Sequence, residues 1–196
     1  MLKYFKKSSP APLILEESEQ KAFYRKLKWE VFLSATLGYG LYYVCRLSLN
    51  VVKKPIVDAG ILTESELGII GSALFFSYAI GKLTNGFLAD HSNIRRFMAV
   101  GLLISALANL IMGFTSSFFF FAICWGVNGW VQSMGAPSCI VSLSRWYTDK
   151  ERGSFYGFWS TSHNIGEALT YILTAVVVSY FGWEWGFKAA AMVGLF

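Results

Sequence analysis

Apolar residues occur in long runs along this chain, and short polar or charged segments separate the runs. A helix needs about 20 mainly apolar residues to cross a bilayer. Five runs reach that scale, and a sixth begins near residue 184 and continues to residue 196. The pattern predicts an all-α membrane protein with helices at about 31–52, 67–88, 97–114, 118–143, 154–181 and 184–196. We expect the sixth helix to be truncated.

The segments between the runs predict the orientation of the protein. Residues 1–28 form a polar tail without the apolar region of a signal peptide, and residues 29–196 form the predicted transmembrane part. With the N-terminus inside, twelve Lys and Arg residues lie on the cytoplasmic side and three on the other. Because Lys and Arg are enriched in cytoplasmic segments, the N-terminal tail is predicted to be cytoplasmic.

The composition supports a membrane protein and excludes several other classes. Hydrophobic residues make up 55% of the chain and charged residues 15%. The net charge of +5 comes from short basic segments between apolar runs, without a recognition motif, so no nucleic-acid partner is expected. The three cysteines lie inside apolar runs at no metal-ligand spacing. We expect the lipid bilayer as the surroundings and neither a metal nor another cofactor.

Charged residues inside the apolar runs are the candidate functional residues. Arg46 lies within the first predicted crossing, on the same helical face as Tyr39 and Tyr43, and Lys82 follows Tyr78 by one turn in the second. A cation inside a bilayer is costly and usually faces a protein interior or a ligand path. Arg46 has an alternative role in structure alone, if it pairs with a carbonyl or extends outward to the interface. Lys82 has a similar structural alternative.

Several motifs resemble one transporter family. The segment GFLADHSNIRR, residues 86–96, resembles the signature loop of the major facilitator superfamily. Four further stretches, LGYGLYYVCR, FSYAIGKLTNG, WYTDKERG and FWSTSHNIG, occur in the order found in the N-terminal half of the organophosphate:phosphate antiporters. That group includes glycerol-3-phosphate and hexose-6-phosphate transporters and a related hexose-phosphate sensor. The resemblance extends from about Tyr24 onward.

The resemblance implies a twelve-helix fold of two six-helix halves, of which this chain is the N-terminal half. Arg46 would grip phosphate together with an arginine from the C-terminal half of the same transporter. Lys82 and His163 match the other cationic positions, although a lone histidine also occurs as a packed core residue. Tyrosines would line the pathway, and polar residues of the inner loops would make turn and gating contacts. These residues are Tyr39, Tyr43 and Tyr78 for the pathway, and Asp90, Arg95, Arg96 and Arg152 for the inner loops.

The implied function is secondary active transport. The protein would exchange an organic sugar phosphate for inorganic phosphate across a bacterial inner membrane by alternating access. The alternative is a receptor that binds a hexose phosphate and signals to a membrane histidine kinase. No nucleophile–base pair, metal cluster or nucleotide loop has credible spacing, so an enzyme is not expected.

Two departures from the family pattern bear on the ligand. Glu167 follows Gly166 where the family usually has a second glycine, and Ala136 and Ser138 stand where transporters tend to have tryptophan and proline. Glu167 lies one helical turn after His163, so its carboxylate could pair with His163 or Lys82 and oppose an incoming phosphate.

Overall fold

The computed structural model describes residues 3–6 and 17–195, and every regular element in these ranges is helical. A short 3₁₀ helix at Lys3–Phe5 precedes the long helices. The α-helices, in chain order, are α1 (Glu17–Asp58), α2 (Glu64–His91), α3 (Ile94–Met112), α4 (Phe118–Gln132), α5 (Gly135–Trp146), α6 (Asp149–Phe181) and α7 (Trp183–Leu195). By length and composition α2, α3 and α6 could each cross a membrane.

The fourth predicted crossing, at about 118–143, differs from the expectation because it is broken into α4 and α5. The break falls at Ser133 and Met134. Pro137 accounts for it, since proline lacks the N–H that would otherwise donate to the carbonyl of Ser133 in a continuous helix. Neither piece is long enough by itself to reach the length of a crossing helix, although together they occupy the predicted segment.

The first helix is longer than the apolar pattern predicts. α1 contains 42 residues, so it includes the second half of the predicted polar tail and continues beyond residue 52 through Pro55 to Asp58. The segment 17–30 has no glycine or proline and contains three Glu and three Lys with one each of Gln, Ala, Arg and Leu, all of which are strong helix formers. Hydrophobic periodicity marks only the part of a helix that is buried in apolar surroundings, and it therefore missed this polar extension.

Capping boxes fix the starts of the two long helices that follow loops. Thr63 caps α2 and exchanges hydrogen bonds with Glu66, and Thr148 and Glu151 form the same arrangement at the start of α6. Each box satisfies N–H groups that have no partner inside the helix. These caps place the first turns of α2 and α6 outside the apolar runs.

Small residues allow the helices to approach closely. α2 packs along α4, and α1 packs along α6. At Gly166 of α6, an added Cβ would lie 2.5 Å from the carbonyl oxygen of Gly40 and 2.9 Å from the Cβ of Tyr43 in α1. Small residues at helix crossings are typical of membrane bundles, where close van der Waals contact replaces the hydrophobic effect between helices. The α1–α6 crossing brings the middle of α1 next to the His163 segment.

Candidate functional site

All six predicted ligand residues lie together in one group, which we call the cation–aromatic cluster. Its members come from α1, α2 and α6 and are Tyr39, Tyr43, Arg46, Tyr78, Lys82 and His163. The guanidinium carbon of Arg46 lies 4.3 Å from the ring centroid of Tyr78 and 5.7 Å from that of Tyr43. The Lys82 ammonium lies 5.1 Å from the Tyr78 centroid.

The aromatic rings connect α1 to α6 within the cluster. The ring centroids of Tyr39 and Tyr43 are 5.4 Å apart, and the imidazole of His163 lies 5.6 Å from the ring of Tyr43. The spacing of Tyr39, Tyr43 and Arg46 places all three on one face of α1. The close contact of Gly166 with Gly40 holds α6 near enough for His163 to reach that face.

The cations of the cluster have no carboxylate partner among the described residues. Ion pairs in that part of the chain join Lys26 to Glu30, Lys28 to Glu151 and Arg152 to Asp149, and none includes Arg46, Lys82 or His163. Arg46 and His163 are half-buried, and Lys82 is exposed at the edge of the group. An arginine fork, an ammonium and nearby phenol groups can bind an anion that carries several acceptor oxygens.

Glu167 does not neutralise the cluster. It is half-buried one turn beyond His163, and within the described residues it forms no ion pair with Lys82 or His163. The pairing considered from the sequence is therefore absent there. Glu167 therefore places a carboxylate on the turn of α6 next to the cluster without an ion pair to its cations in the described part of the chain.

Trp159 belongs beside the cluster and was missed by sequence reasoning. It is buried, and its ring centroid lies 4.8 Å from that of Tyr39. Its position four residues before His163 is the signal that could have identified it, because residues at that spacing share one face of a helix. Trp159 closes the aromatic wall between α1 and α6.

Comparison with known proteins identifies the family. The family model of the Major Facilitator Superfamily matches residues 32–196. The chain belongs to the major facilitator superfamily. Its residues are 35% identical over 195 positions to the membrane sensor protein UhpC of Salmonella typhimurium, which covers 100% of this chain and 44% of UhpC. They are 43% identical over 179 positions to a probable hexose phosphate transport protein of Chlamydia pneumoniae, covering 89% of this chain and 39% of that protein.

A solved structure shows the same fold. A bacterial homologue of the human lysosomal transporter Spinster, in an inward-facing and unoccupied conformation, has a TM-score of 0.73 at 18% identity. The match covers 86% of this chain and 41% of that one. The chain spans less than half of the length of these relatives. The resemblance to the organophosphate antiporter group and the expected major facilitator half are thereby confirmed, and the apolar helices agree with a membrane location.

The inner-loop residues named from the major facilitator signature lie away from the cluster. Arg145 donates to the backbone carbonyl of Asp90 at 3.0 Å, and Arg96 donates to the carbonyl of Tyr4 at 2.8 Å. Arg152 lies 3.0 Å from the carboxylate of Asp149, and Arg95 is exposed. These contacts join the α2–α3 turn to the α5 end and to the N-terminal segment. A gating role for Asp90, Arg95, Arg96 and Arg152 stays a prediction.

A second group of side chains, in which a lysine contacts two aromatic rings and a glutamate, lies where the α1 extension meets the start of α6. We call it the inner clamp. Its residues are Lys28, Tyr147, Glu151 and Phe155. The Lys28 ammonium lies 2.7 Å from both oxygens of Glu151 and 4.5 Å from the Tyr147 centroid, while the Tyr147 hydroxyl donates to the carbonyl of Lys28 at 2.9 Å. The clamp fastens the polar extension of α1 onto α6.

The clamp changes the acidity of two groups that lie ahead of the apolar run of α6. The hydrogen bond from Lys28, followed by that from Thr148, lowers the pKa of the Glu151 carboxyl. Burial raises the pKa of Tyr147 to about 12. Glu151 is therefore ionised at neutral pH, and Tyr147 keeps its proton and can donate to the backbone of α1.

Proposed function

We propose that this protein is part of a secondary transporter that exchanges an organic phosphate, of the sugar phosphate class, for inorganic phosphate. The observation that carries the proposal is the cation–aromatic cluster, whose Arg46 and Lys82 lack a carboxylate partner among the described residues. Unpaired cations inside a membrane bundle are costly and therefore point to an anionic ligand. The hexose phosphate transport relative supports the choice of phosphate as that anion.

The residues of the cluster would bind the ligand in complementary ways. Arg46 can donate two parallel hydrogen bonds to phosphate oxygens, and Lys82 adds a compact positive charge. The imidazole of His163, which lies against the Tyr43 ring, can donate a further hydrogen bond to a phosphate oxygen. The rings of Tyr39, Tyr43 and Tyr78 offer an aromatic wall to the organic part of the ligand. This chemistry binds and releases an anion without breaking a bond.

Exchange requires a second half that faces this one. The chain spans less than half of its relatives, and major facilitator transporters move two halves around a site at their interface. The resemblance implies that the facing half supplies the second phosphate-binding arginine. The proposed setting is a bacterial inner membrane with the N-terminus of this chain in the cytoplasm, as the Lys and Arg distribution predicts.

The test uses the complete gene product in proteoliposomes loaded with labelled phosphate. Glucose 6-phosphate, glycerol 3-phosphate and phosphoglycerate are added outside in turn, and efflux of the label is followed. Efflux that depends on one of these compounds is the expected result and names the substrate. The proposal would be overturned if none of the three compounds binds to the protein or drives efflux of the label.

A receptor is the second candidate, because the membrane sensor relative aligns with the whole of this chain. In that case the cluster would bind a hexose phosphate, and the bound state would signal to a membrane histidine kinase instead of supporting flux. Glu167 bears on both candidates, since a carboxylate near the cluster would weaken the binding of an anionic ligand. Binding of glucose 6-phosphate without phosphate efflux distinguishes the receptor from the transporter.

A further inference from the structure

Behind the cation–aromatic cluster, five buried polar side chains join α1, α3 and α4. We call this group the amide network; its residues are Ser48, Ser105, Asn109, Asn128 and Gln132, each 0–3% exposed. The network contacts α1 on the face that carries Tyr42 and Cys45. This face adjoins the one that carries Tyr43 and Arg46. Nothing in the proposed binding chemistry uses these five residues.

The network bonds the backbone of α1 at two carbonyls. The side-chain amides of Asn109 and Asn128 donate to the carbonyl of Cys45 at 2.8 and 3.2 Å. The side-chain amide of Gln132 donates to the carbonyl of Tyr42 at 3.0 Å. In an α-helix the carbonyl of Tyr42 also accepts the N–H of Arg46. The amides of α3 and α4 therefore hold the turn of α1 from which Tyr43 and Arg46 project.

The network residues also bond one another, so the serine hydroxyls and the asparagine side-chain oxygens are paired within the group. Ser48 donates to the side-chain oxygen of Asn109 at 2.6 Å, and Ser105 donates to that of Asn128 at 2.6 Å. Gln132 donates a second hydrogen bond to the Ser105 hydroxyl at 2.8 Å. Each side chain can adopt this arrangement at only one register of α1 against α3 and α4, because a slide or rotation of α1 would leave buried polar groups unpaired.

A purely apolar contact would hold the helices together without fixing that register. Within a membrane bundle, interhelical hydrogen bonds of polar side chains stabilise the assembly only modestly. Their distinguishing effect is geometric, since a buried donor needs its acceptor at a defined place. The register of α1 in turn determines where the guanidinium of Arg46 lies relative to Tyr78 and Lys82 of α2.

We infer that Asn109, Asn128 and Gln132 are positioning residues for anion binding: they fix the turn of α1 that presents Tyr43 and Arg46 to the ligand. This inference rests on the proposed function for its ligand, inorganic or organic phosphate. It assigns a role in affinity to side chains that the ligand does not touch. This positioning role can be tested separately from a contribution to stability, because a buried amide elsewhere in the bundle also contributes to stability.

Asn85 provides a matched control for stability. Asn85 is fully buried in α2. Its side-chain amide donates to the carbonyl of Trp130 in α4 at 3.0 Å and to the hydroxyl of Ser133, the residue after α4, at 2.7 Å. These hydrogen bonds join α2 to α4 and not to α1. Gln132→Met and Asn128→Leu remove donors to α1, and Asn85→Leu removes an equally buried donor to α4. All three exchange an amide for an apolar side chain of similar size.

The experiment compares the three variants in the complete protein by binding of glucose 6-phosphate, binding of phosphate and thermal unfolding in detergent. Gln132→Met and Asn128→Leu each lose a hydrogen bond to the turn of α1 that carries Tyr43 and Arg46. Both variants are expected to bind glucose 6-phosphate and phosphate about tenfold more weakly. Asn85→Leu is expected to lower the unfolding temperature similarly and to change affinity less than about twofold. Equal affinity losses in all three variants would overturn the positioning role.

A second readout does not depend on any ligand. Fluorotyrosine introduced at Tyr43 reports the surroundings of that ring by ¹⁹F NMR, and its signal is expected to shift in Gln132→Met but not in Asn85→Leu. An unchanged signal in folded Gln132→Met would contradict the inference even if phosphate binding is established. If the wild-type protein binds no phosphate, the proposed function fails, and the ¹⁹F comparison still tests the positioning of Tyr43.

Milder variants keep the test available if the amide variants do not fold. Ser48→Ala removes only the hydroxyl that donates to Asn109, and Ser105→Ala removes the hydroxyl that links Asn128 to Gln132. A ¹⁹F shift at Tyr43 with a smaller loss of phosphate affinity is expected for both. Wild-type affinity together with a wild-type ¹⁹F signal in both variants would overturn the inference.

Discussion

The cation–aromatic cluster and the inner clamp use the same kinds of side chain for different ends. In each, a lysine lies over a tyrosine ring, at 5.1 Å for Lys82 and Tyr78 and at 4.5 Å for Lys28 and Tyr147. The inner clamp also holds Glu151, whose two oxygens lie 2.7 Å from the ammonium of Lys28. In the described part of the chain, the cluster has no such carboxylate.

The presence or absence of the carboxylate separates a structural contact from a candidate binding site. A paired cation has already exchanged water for a fixed partner, so it contributes to holding α1 on α6. A cation that lies only against aromatic rings recovers little of the hydration energy it lost on burial, so it can still attract an anion. Variants that change one group and leave the other intact therefore test whether the distinction is real.

The largest effect is expected from Arg46→Lys in the cluster. Lysine keeps the charge but cannot form the planar two-donor contact, so phosphate exchange should be lost and affinity should fall roughly 10- to 100-fold. Phosphate binding and counterflow in proteoliposomes measure this. Arg25→Lys, an exposed substitution on the same helix, is the control and should behave as wild type. Wild-type exchange rates in Arg46→Lys would remove Arg46 from the proposed site.

Gly166→Ala should disturb the cluster next most strongly, without touching the inner clamp. The added methyl would lie 2.5 Å from the carbonyl oxygen of Gly40, so α1 and α6 must separate. Overpacking of this kind costs about 1–3 kcal/mol of stability, and phosphate affinity should fall as His163 moves from Tyr43.

Gly157→Ala is the matched control for that variant. Gly157 lies on the same helix, and a methyl group there would meet nothing within 4 Å, so stability and binding should be preserved. Thermal unfolding and phosphate binding of the two variants give the comparison. Equal behaviour of Gly166→Ala and Gly157→Ala would show that the α1–α6 approach does not shape the cluster.

Most of the cluster could be predicted from the sequence, because each of its marking patterns lies within one helix and a cation inside an apolar run is energetically costly. Arg46 and Lys82 stand out against an apolar background, and helical spacing places Tyr39 and Tyr43 on the face of Arg46. Family motifs supplied His163, whose distance from α1 depends on the helix crossing at Gly166. The structure brings these residues together, while their binding role remains a proposal.

The inner clamp and the amide network could not be found in the same way. Lys28 lies in a polar segment where cations are common, and its partner Glu151 is 123 residues further along the chain. Asn109 and Asn128 are single polar residues in apolar runs, and their bonds to the Cys45 carbonyl depend on the register of three helices. The break between α4 and α5 differs, because Pro137 marks it in the sequence, although the apolar residues on both sides favoured one continuous crossing.

Glu167→Gln tests whether a carboxylate near the cluster opposes the ligand. Glu167 is half-buried one turn after His163 and makes no ion pair with the cluster among the described residues. Removing its charge should strengthen phosphate binding about two- to threefold, as expected for a screened charge–charge repulsion. Titrations at low and high salt provide the measurement. Unchanged or weaker binding at low salt would show that Glu167 does not oppose phosphate.

The smallest effect is expected in the inner clamp, where Glu151→Gln removes the charge partner of Lys28 but keeps a residue suited to the capping box. The pKa of Glu151 is lowered in the folded protein, so the pair contributes stability above the unfolded pKa of about 4.3. That contribution is lost as pH falls through the lower folded pKa. The unfolding temperature of the wild type should be slightly higher than that of Glu151→Gln at pH 7, and this difference should disappear between about pH 5 and pH 3. Phosphate affinity at pH 7 should be unchanged, and a loss comparable to that of Arg46→Lys would mean that the two groups do not differ in function.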